Sequence, residues 1–347
     1  MALNPSIGLA GIAIQRDRDA VAAEPTFMHG LTGGTPFGMS RSLANTPVAC
    51  GNRAPSDVRV DSVEFSPSIQ SLCYPDVFGA YLYAALGHVE STPVPEKSGY
   101  HKHIFTMGAD IPYLTVWGQI GTDGFVRADG CKVNTLELTA TGNEHLAMSA
   151  ELMGIGGEVG IKSIPGSKEP SCYGGKYTTT DCEFKLDAAG ESPKEALVAE
   201  AGFTIGNNCA GMSSLGRAMP RDISTGNMSV GVKVTTIPDN LKEYQKMVTG
   251  SESVTKVSSK VVMGSVHAKF HHTDDVEQTL EIDVKHCPFT ADFPEVDPEG
   301  NEATIEFSCD TAIIKAAAES PITITLVNKV QSYTSPAAAA AMVRKKE

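Results

Sequence analysis

Alternation of apolar and polar residues is the dominant pattern along this chain, and it predicts β-strands. Residues 58–65 alternate with one slip at Ser62, as a strand with one buried face does. Residues 132–141 and 146–153 also alternate on either side of Thr141-Gly142-Asn143, which predicts a hairpin. Further strands are predicted at 100–106, 113–119, 125–128, 177–186, 199–207, 228–236, 261–271, 278–285, 303–310 and 322–327.

Two short helices interrupt the predicted strands. Pro75-Asp76 opens the first, Val77 to Leu86, because proline and an acidic residue both suit the first turn of a helix. Gly87 ends it, since glycine readily takes the positive φ of a helix end. Pro238-Asp239 opens the second helix, Leu241 to Val248, which Thr249-Gly250 ends. A strand precedes each helix and four or five strands follow, which predicts a degenerate internal duplication; chance similarity is the alternative.

Stretches rich in Gly, Pro and Ser divide the chain. The first stretch has little periodicity and is predicted to be an extended arm that packs on neighbouring molecules. The last contains an Ala run and is predicted to be a flexible tail. The predicted divisions are an N-terminal arm (1–57), a first β domain (58–157), a connection (158–176), a second β domain (177–331) and a C-terminal tail (332–347).

Composition narrows the possible functions. The net charge of -13 argues against a chain that grips nucleic acid, because such proteins cluster Lys and Arg. No apolar stretch has the length of a membrane span, so no membrane partner is expected. The eight cysteines are scattered without a CxxC pair, and we interpret them as reduced thiols of a protein made in the cytoplasm. Cys172 and Cys182 flank a Gly-rich loop and are the pair best placed to contradict this interpretation.

Motifs of enzyme chemistry are weak or missing. Gly154 to Gly160 has the wrong glycine spacing for a dinucleotide fingerprint. Gly211 to Gly216 has one residue too many for a GxSxG elbow. His101 and His103 share one face of a strand but lack an acidic or cysteine partner at metal-ligand spacing. We therefore predict no catalytic residue, no cofactor and no metal site, and the chain is not expected to be an enzyme.

Acidic residues are concentrated in the second half of the chain. They occur at 274–277 and 292–302, and at Glu281 and Asp283. A solvated surface explains such runs in most proteins. The sharper hypothesis is that some of these carboxylates line a channel.

Several motifs, most of them between residues 76 and 157, follow one another in an order that resembles a known family. The apolar helix ends in Ala84-Ala85-Leu86-Gly87, and Asn328 follows the last predicted strand. Between them lie the strand motifs Tyr100-His101-Lys102-His103-Ile104-Phe105-Thr106, Ile111-Pro112-Tyr113-Leu114-Thr115-Val116 and Gly130-Cys131-Lys132-Val133-Asn134-Thr135-Leu136. This succession resembles the tail tube (major tail) proteins of long-tailed bacteriophages. The resemblance extends over roughly residues 58–330.

The resemblance implies a mainly β fold of sandwich or barrel domains with short flanking helices, two of them in tandem here. It implies rings with a continuous inner β-barrel, stacked into a tube through which viral DNA passes without specific binding. With two tube domains per chain, a homotrimer would form a pseudo-hexameric ring; a homohexamer is the alternative. Alternation nominates Glu137, Glu281 and Asp283 as lumen-facing residues.

The same resemblance implies a virion protein of the phage tail, assembled in the host cytoplasm. Its expected partners are further copies of itself and the tape measure, tail terminator and baseplate or tip proteins. A long tandem chain favours a non-contractile, siphovirus-type tail. The alternative from another class is a capsid decoration or adhesin-like β protein, which would remain monomeric.

Overall fold

A computed structural model describes residues 6–45, 57–95, 97–166, 168–172, 174–189, 194–294, 303–317 and 319–335. Strands account for 51% of the chain and helices for 7%, and no sheet within these residues closes on itself. The predicted mainly β fold with short flanking helices is confirmed. Neither helix of the described residues has the length and apolar content needed to cross a membrane.

The strands and helices follow one another in this order: β1 (Gly8–Ile14), β2 (Phe27–Gly30), β3 (Gly33–Thr35), β4 (Met39–Asn45), β5 (Val58–Phe65), β6 (Ser68–Leu72), α1 (Pro75–Leu86), β7 (Gly87–Pro93), β8 (His101–Met107), β9 (Leu114–Ile120), β10 (Gly124–Thr141), β11 (Ala147–Met153), β12 (Gly156–Val159), β13 (Tyr177–Asp187), β14 (Lys194–Glu195), β15 (Val198–Gly206), β16 (Ala210–Met212), β17 (Asp222–Ser224), β18 (Ser229–Thr236), α2 (Lys242–Thr249), β19 (Gly264–His272), β20 (Thr279–Cys287), β21 (Thr290–Ala291), β22 (Ile305–Cys309) and β23 (Ile322–Asn328).

Two large antiparallel sheets form the body of the molecule. One contains seven strands in the order β14-β13-β19-β20-β23-β8-β7. The other is a branched sheet of twelve strands that divides at β10. One branch contains β2, β1, β9 and β12 around the first half of β10. The other, which we call the repeat sheet, runs β3-β6-β11-β10-β15-β18-β22-β21 through the second half of β10.

Strand β10 can serve both branches because it bends at Gly130. This residue has φ 58°, a conformation that favours glycine. The pairing of β10 with β9 shifts register there, between Ala128 and Cys131. The sequence predicted two separate strands, 125–128 and 132–141. The structure joins them through a bulge, which lets one strand turn from one branch of the sheet into the other.

Helix α1 is the centre of the core. Most of its residues are buried, and it contacts the repeat sheet through β10 and the seven-stranded sheet through β7, β8 and β23. Its end at Gly87 has φ 82°, and the Gly87 N–H donates to the Tyr83 carbonyl. Helix α2 ends in the same way at Gly250, with φ 86°. The two predicted helix ends are therefore confirmed.

The two halves of the chain share both sheets. Strand β8 from the first half pairs with β23 from the end of the second. Strand β10 pairs with β15 across the predicted connection at 158–176. One hydrophobic cluster includes Phe78, Leu138, Phe203 and Leu326. The domain boundaries remain a prediction, but the segments 58–157 and 177–331 pack into a common core.

The N-terminal segment differs from the irregular arm that the sequence suggested. Strand β1 lies between β2 and β9, and Ala10, Ile12 and Ala13 are almost fully buried. Its run Gly8–Ile14 is continuously apolar, so it shows no alternation that would identify a strand with one buried face. Residues 46–56 lie outside the described part.

The beginning of the predicted C-terminal tail is anchored in the core. Tyr333 is 1% exposed, and its hydroxyl accepts from Asn328 Nδ2 at 2.6 Å. The same hydroxyl contacts the carbonyls of Pro75 at 3.3 Å and Asp76 at 3.2 Å. A Cβ at Gly79 would overlap the Tyr333 ring, so the glycine makes room for it. Residues 336–347 of the predicted tail lie outside the described residues.

Removal of the Tyr333 hydroxyl tests this anchor. Tyr333→Phe should lower the free energy of unfolding by about 1 kcal/mol, because the hydrogen bonds of the Tyr333 hydroxyl with Asn328 and with the carbonyls of Pro75 and Asp76 are lost. Tyr83→Phe is the matched control, since Tyr83 is only partly buried, and a change within about 0.5 kcal/mol is expected. Denaturant unfolding of both variants measures the difference. Equal stabilities would show that the anchor contributes nothing.

Candidate functional site

The repeat sheet contains the same arrangement twice. Its first four strands are β3, β6, β11 and β10, and its last four are β15, β18, β22 and β21. In each set the second strand, β6 or β18, is followed in the chain by a helix, α1 or α2. The chain then forms the fourth strand of the set, β10 or β21, before the third, β11 or β22. The two sets are therefore related by a shift of four strands along the sheet. This topology agrees with the internal duplication predicted from the sequence.

Each set also carries an excursion at the same point. The hairpin β4–β5 lies between β3 and β6, and the hairpin β16–β17 lies between β15 and β18. Both hairpins are separate two-stranded sheets. The Val63 N–H donates to the Ala218 carbonyl at 2.8 Å, so the two excursions touch. Both leave the same end of the repeat sheet, because they occupy equivalent positions in it.

The first hairpin has one apolar face that the described residues leave uncovered. Leu43 pairs with Val60 and Asn45 with Val58 across the hairpin, so these residues share a face. The exposed fraction is 61% for Leu43 and 56% for Val58. At the second hairpin, Met212 and Leu215 are exposed as well. Clustered apolar residues of this kind mark contact surfaces.

The repeat sheet has one buried apolar face and one uncovered polar face. Inward residues such as Leu136, Leu138, Phe203 and Val232 belong to the core. Outward residues alternate with them and form rows across the strands. These rows are Thr35-Ser68-Glu151-Thr135-Gly206-Ser229, Gly33-Gln70-Ser149-Glu137-Thr204-Gly231, Leu72-Ala147-Thr139-Gly202-Lys233-Ser308-Thr290 and Thr141-Glu200-Thr235-Glu306. Small residues dominate this uncovered face, which we call the polar face.

The polar face has a negative balance of charge. Glu137, Glu151, Glu200 and Glu306 are exposed on it, whereas Lys233 is the cation in these rows. Lys233 Nζ lies 2.9 Å from a carboxylate oxygen of Glu306, which raises the Lys233 pKa through the hydrogen bond and the charge of that carboxylate. The other three carboxylates form no ion pair within the described chain. A phosphate group near this surface would be repelled.

Part of the polar face is concave. A depression of about 410 Å³ lies over the second repeat and the adjoining β10, lined by Glu137, Glu200, Thr204, Lys233 and Asp310 among others. The concavity and the small side chains make this face suitable for the inside of a curved sheet.

The three predicted lumen residues do not lie together. Glu137 is on the polar face of the repeat sheet. Glu281 and Asp283 are on β20, in the seven-stranded sheet. Glu281 lies 3.0 Å from Lys269 Nζ, and Asp283 Oδ1 lies 2.7 Å from the His267 ring. Alternation along a strand identifies an outward residue, but it gives no information about which sheet the strand joins. Glu151, Glu200 and Glu306 satisfy the same rule as Glu137 and were missed.

The two histidines considered as metal ligands, His101 and His103, lie on β8 of the seven-stranded sheet. No group of three metal-binding side chains occurs in the part of the chain that the structure describes. His103 is buried instead, where its ring contacts Ser91 at 2.7 Å and the Val330 carbonyl at 2.9 Å. Burial lowers the His103 pKa. Cys172 and Cys182 have free thiols; Cys50 lies outside the described residues.

Comparison with known proteins agrees with this architecture. The chain matches no curated protein. The family model described as "Phage tail tube protein" matches residues 18–310, which is most of the chain. The match includes both strand sets of the repeat sheet and both helices. The chain belongs to the phage tail tube protein family and is a structural component of the phage tail.

Proposed function

We propose that copies of this chain close into a ring through the two ends of the repeat sheet, and that stacked rings form the conduit for DNA delivery. The proposal is supported by the repeated four-strand set, in which each end strand, β3 and β21, has a strand neighbour on one side only among the described residues. Unpaired N–H and C=O groups at a sheet edge are a template for pairing with another chain. A ring of identical copies satisfies every edge without leaving an end.

The pairing of β10 with β15 supplies a pattern for the contact between copies. It joins the fourth strand of the first set to the first strand of the second, antiparallel, from Thr135↔Gly206 to Thr141↔Glu200. The equivalent open positions are β21 at one end and β3 at the other. Placing β21 of one copy beside β3 of the next would set the same two positions of the sheet side by side; β21 and β3 have two and three residues, so both strands would have to lengthen to repeat the full pairing. Such a head-to-tail contact closes a ring when the rotation per copy divides a full turn.

The number of copies follows from the repeat. If each strand set fills one place in the ring, three chains provide six places, and a homotrimer forms a pseudo-hexamer. Native mass spectrometry of assembled rings should therefore give a mass of three chains. Six chains per ring would contradict the equivalence of the two sets. A chain that stays monomeric at high concentration would instead favour a capsid decoration or adhesin-like protein.

The polar face is the proposed lumen surface. Glu137, Glu151 and Glu200 would repel the phosphates of passing DNA, while Gly, Ser and Thr leave no large side chain to obstruct it. Glu281 and Asp283 would then lie outside the lumen, on the other sheet. This assignment revises two of the three candidates taken from the sequence.

Neutralisation of the polar face tests the lumen assignment. Glu137→Gln with Glu151→Gln and Glu200→Gln should leave assembly intact, because these side chains are exposed and unpaired, and should slow DNA ejection from virions. Substitution of the same residues by Lys should slow ejection further, since cations bind phosphates. The matched control is Glu281→Gln with Asp283→Asn on the seven-stranded sheet, which should leave the rate unchanged. Ejection at the rate of the unsubstituted virion in all variants would contradict the assignment.

The proposal also concerns the rest of the tail. Rings are expected to stack through the strand ends and the two hairpins, whose exposed apolar residues need a cover. The tape measure protein would occupy the lumen before DNA, and the tail terminator and baseplate or tip proteins would contact the terminal rings. We place assembly in the host cytoplasm, in a non-contractile tail, with no enzymatic activity of the chain. DNA would pass without specific binding.

A further inference from the structure

A basic depression lies at one end of the strands β19 and β20. It has a volume of about 760 Å³, and Lys260, Lys285 and Lys315 line it beside His286. All three lysines are exposed, and none forms an ion pair within the described residues. The acidic residue of the lining, Asp187, is 2% exposed and lies beneath the surface. Three unpaired cations thus lie together on one surface of a chain with net charge -13.

An acidic turn lies at the other end of the same two strands. Residues 273–277 connect β19 to β20 and carry Asp274, Asp275 and Glu277. Val276, between these carboxylates, is 73% exposed. Asp275 already contacts Lys329 at 2.9 Å, and Glu277 pairs with Lys97. Asp274 forms no ion pair in the described part of the chain, so the turn keeps a negative balance.

Hydrogen bonds link the seven-stranded sheet to the repeat sheet at both of these ends. At the basic end, the Ala312 N–H donates to the Val230 carbonyl of the repeat sheet, and the Ile313 N–H donates to the His286 carbonyl. At the acidic end, the Leu146 N–H, between β10 and β11, donates to the Tyr177 carbonyl, and Tyr177 pairs with His272. Nine residues of strand separate the two ends by roughly 30 Å at about 3.3 Å per residue. One chain therefore cannot bring its own turn to its own depression.

We propose that the acidic turn 273–277 of one copy docks into the basic depression of a second copy in the next ring. This inference rests on the proposed function, in which the repeat sheet closes sideways and its strand ends face neighbouring rings. Opposite charge at opposite ends favours head-to-tail stacking and disfavours stacking of two like ends. Val276 gives the turn an apolar tip, and Val261, which lines the depression and is 71% exposed, gives it an apolar contact beside the lysines. The occupant is thus a second copy of this chain.

Charge reversal in the depression tests the docking. In Lys260→Glu with Lys285→Glu, rings should form as before, while the mean length of hollow rods seen by negative-stain microscopy should fall by about tenfold or more. Lys162→Glu with Lys168→Glu is the matched control, because both residues are exposed and unpaired but lie outside the depression. Addition of Asp274→Lys to the depression variant should restore longer rods, since the reversed ends are again complementary.

The outcomes separate this inference from the proposed function. Rods of equal length in the depression variant and the control, built from rings of normal mass, would overturn the docking and leave the ring proposal in place. Failure of Asp274→Lys to lengthen the rods would overturn the assignment of the turn as occupant. A native chain that forms no rings at any concentration would overturn both proposals. Short rods in the depression variant alone, with recovery by Asp274→Lys, would support the docking.

Discussion

Backbone hydrogen bonding is incomplete at the two ends of the repeat sheet, where β3 and β21 each have one strand neighbour among the described residues. The two four-strand sets are related by a shift along the sheet, so the surface of β21 at one end corresponds to that of β10 within the chain. Among the described residues, β21 has no second partner equivalent to the one that β15 provides to β10. Because β21 occupies the position in its set that β10 occupies in the first, a strand from another copy could pair with β21 as β15 pairs with β10.

The proposed pairing of sheet edges also explains why the polar face and the hairpins differ in composition. Pairing at the edges uses backbone groups, so side chains on the polar face are free to be small and acidic without weakening the contact. The apolar side chains that a contact needs are placed elsewhere, on β4, β5 and the loop after β16. Helix α1 holds the two sheets together from within, and Tyr333 fills the space that Gly79 leaves on it. In the proposed ring, assembly and the passage of DNA would use different parts of one subunit.

Much of this fold could be predicted from the sequence because its strands have one buried and one exposed face. The hairpin at 132–153 became β10 and β11, and Gly87 ended α1 at the predicted residue. The alternation at 58–65 became β5, but Val58 and Val60 are exposed, so the predicted burial of one face is wrong there. Strand β1 was missed because a continuously apolar run has no alternation. Strand β6 was missed because it is only five residues long, and mostly polar. The resemblance identified the family, which residue patterns alone did not.

Long-range pairing was the part that local patterns could not supply. Nothing near Ile322–Asn328 indicates that this strand lies beside β8, more than two hundred residues earlier, and not within its own half. For the same reason, Glu137 and Glu281 look alike in the sequence but lie on different sheets. The lumen assignment remains a prediction, and the sheet order was needed to separate the two surfaces on which the nominated residues lie.

Backbone amide hydrogen exchange, compared between the isolated chain and assembled rods, shows whether neighbouring copies pair with the end strands. Amides of β3 and of the segment around β21 should exchange rapidly in the isolated chain and slowly in rods, because each edge gains a partner. Amides of β9, which is paired on both sides within the chain, should exchange equally in both states. Rods in which β3 and β21 exchange as fast as in the isolated chain would contradict the account.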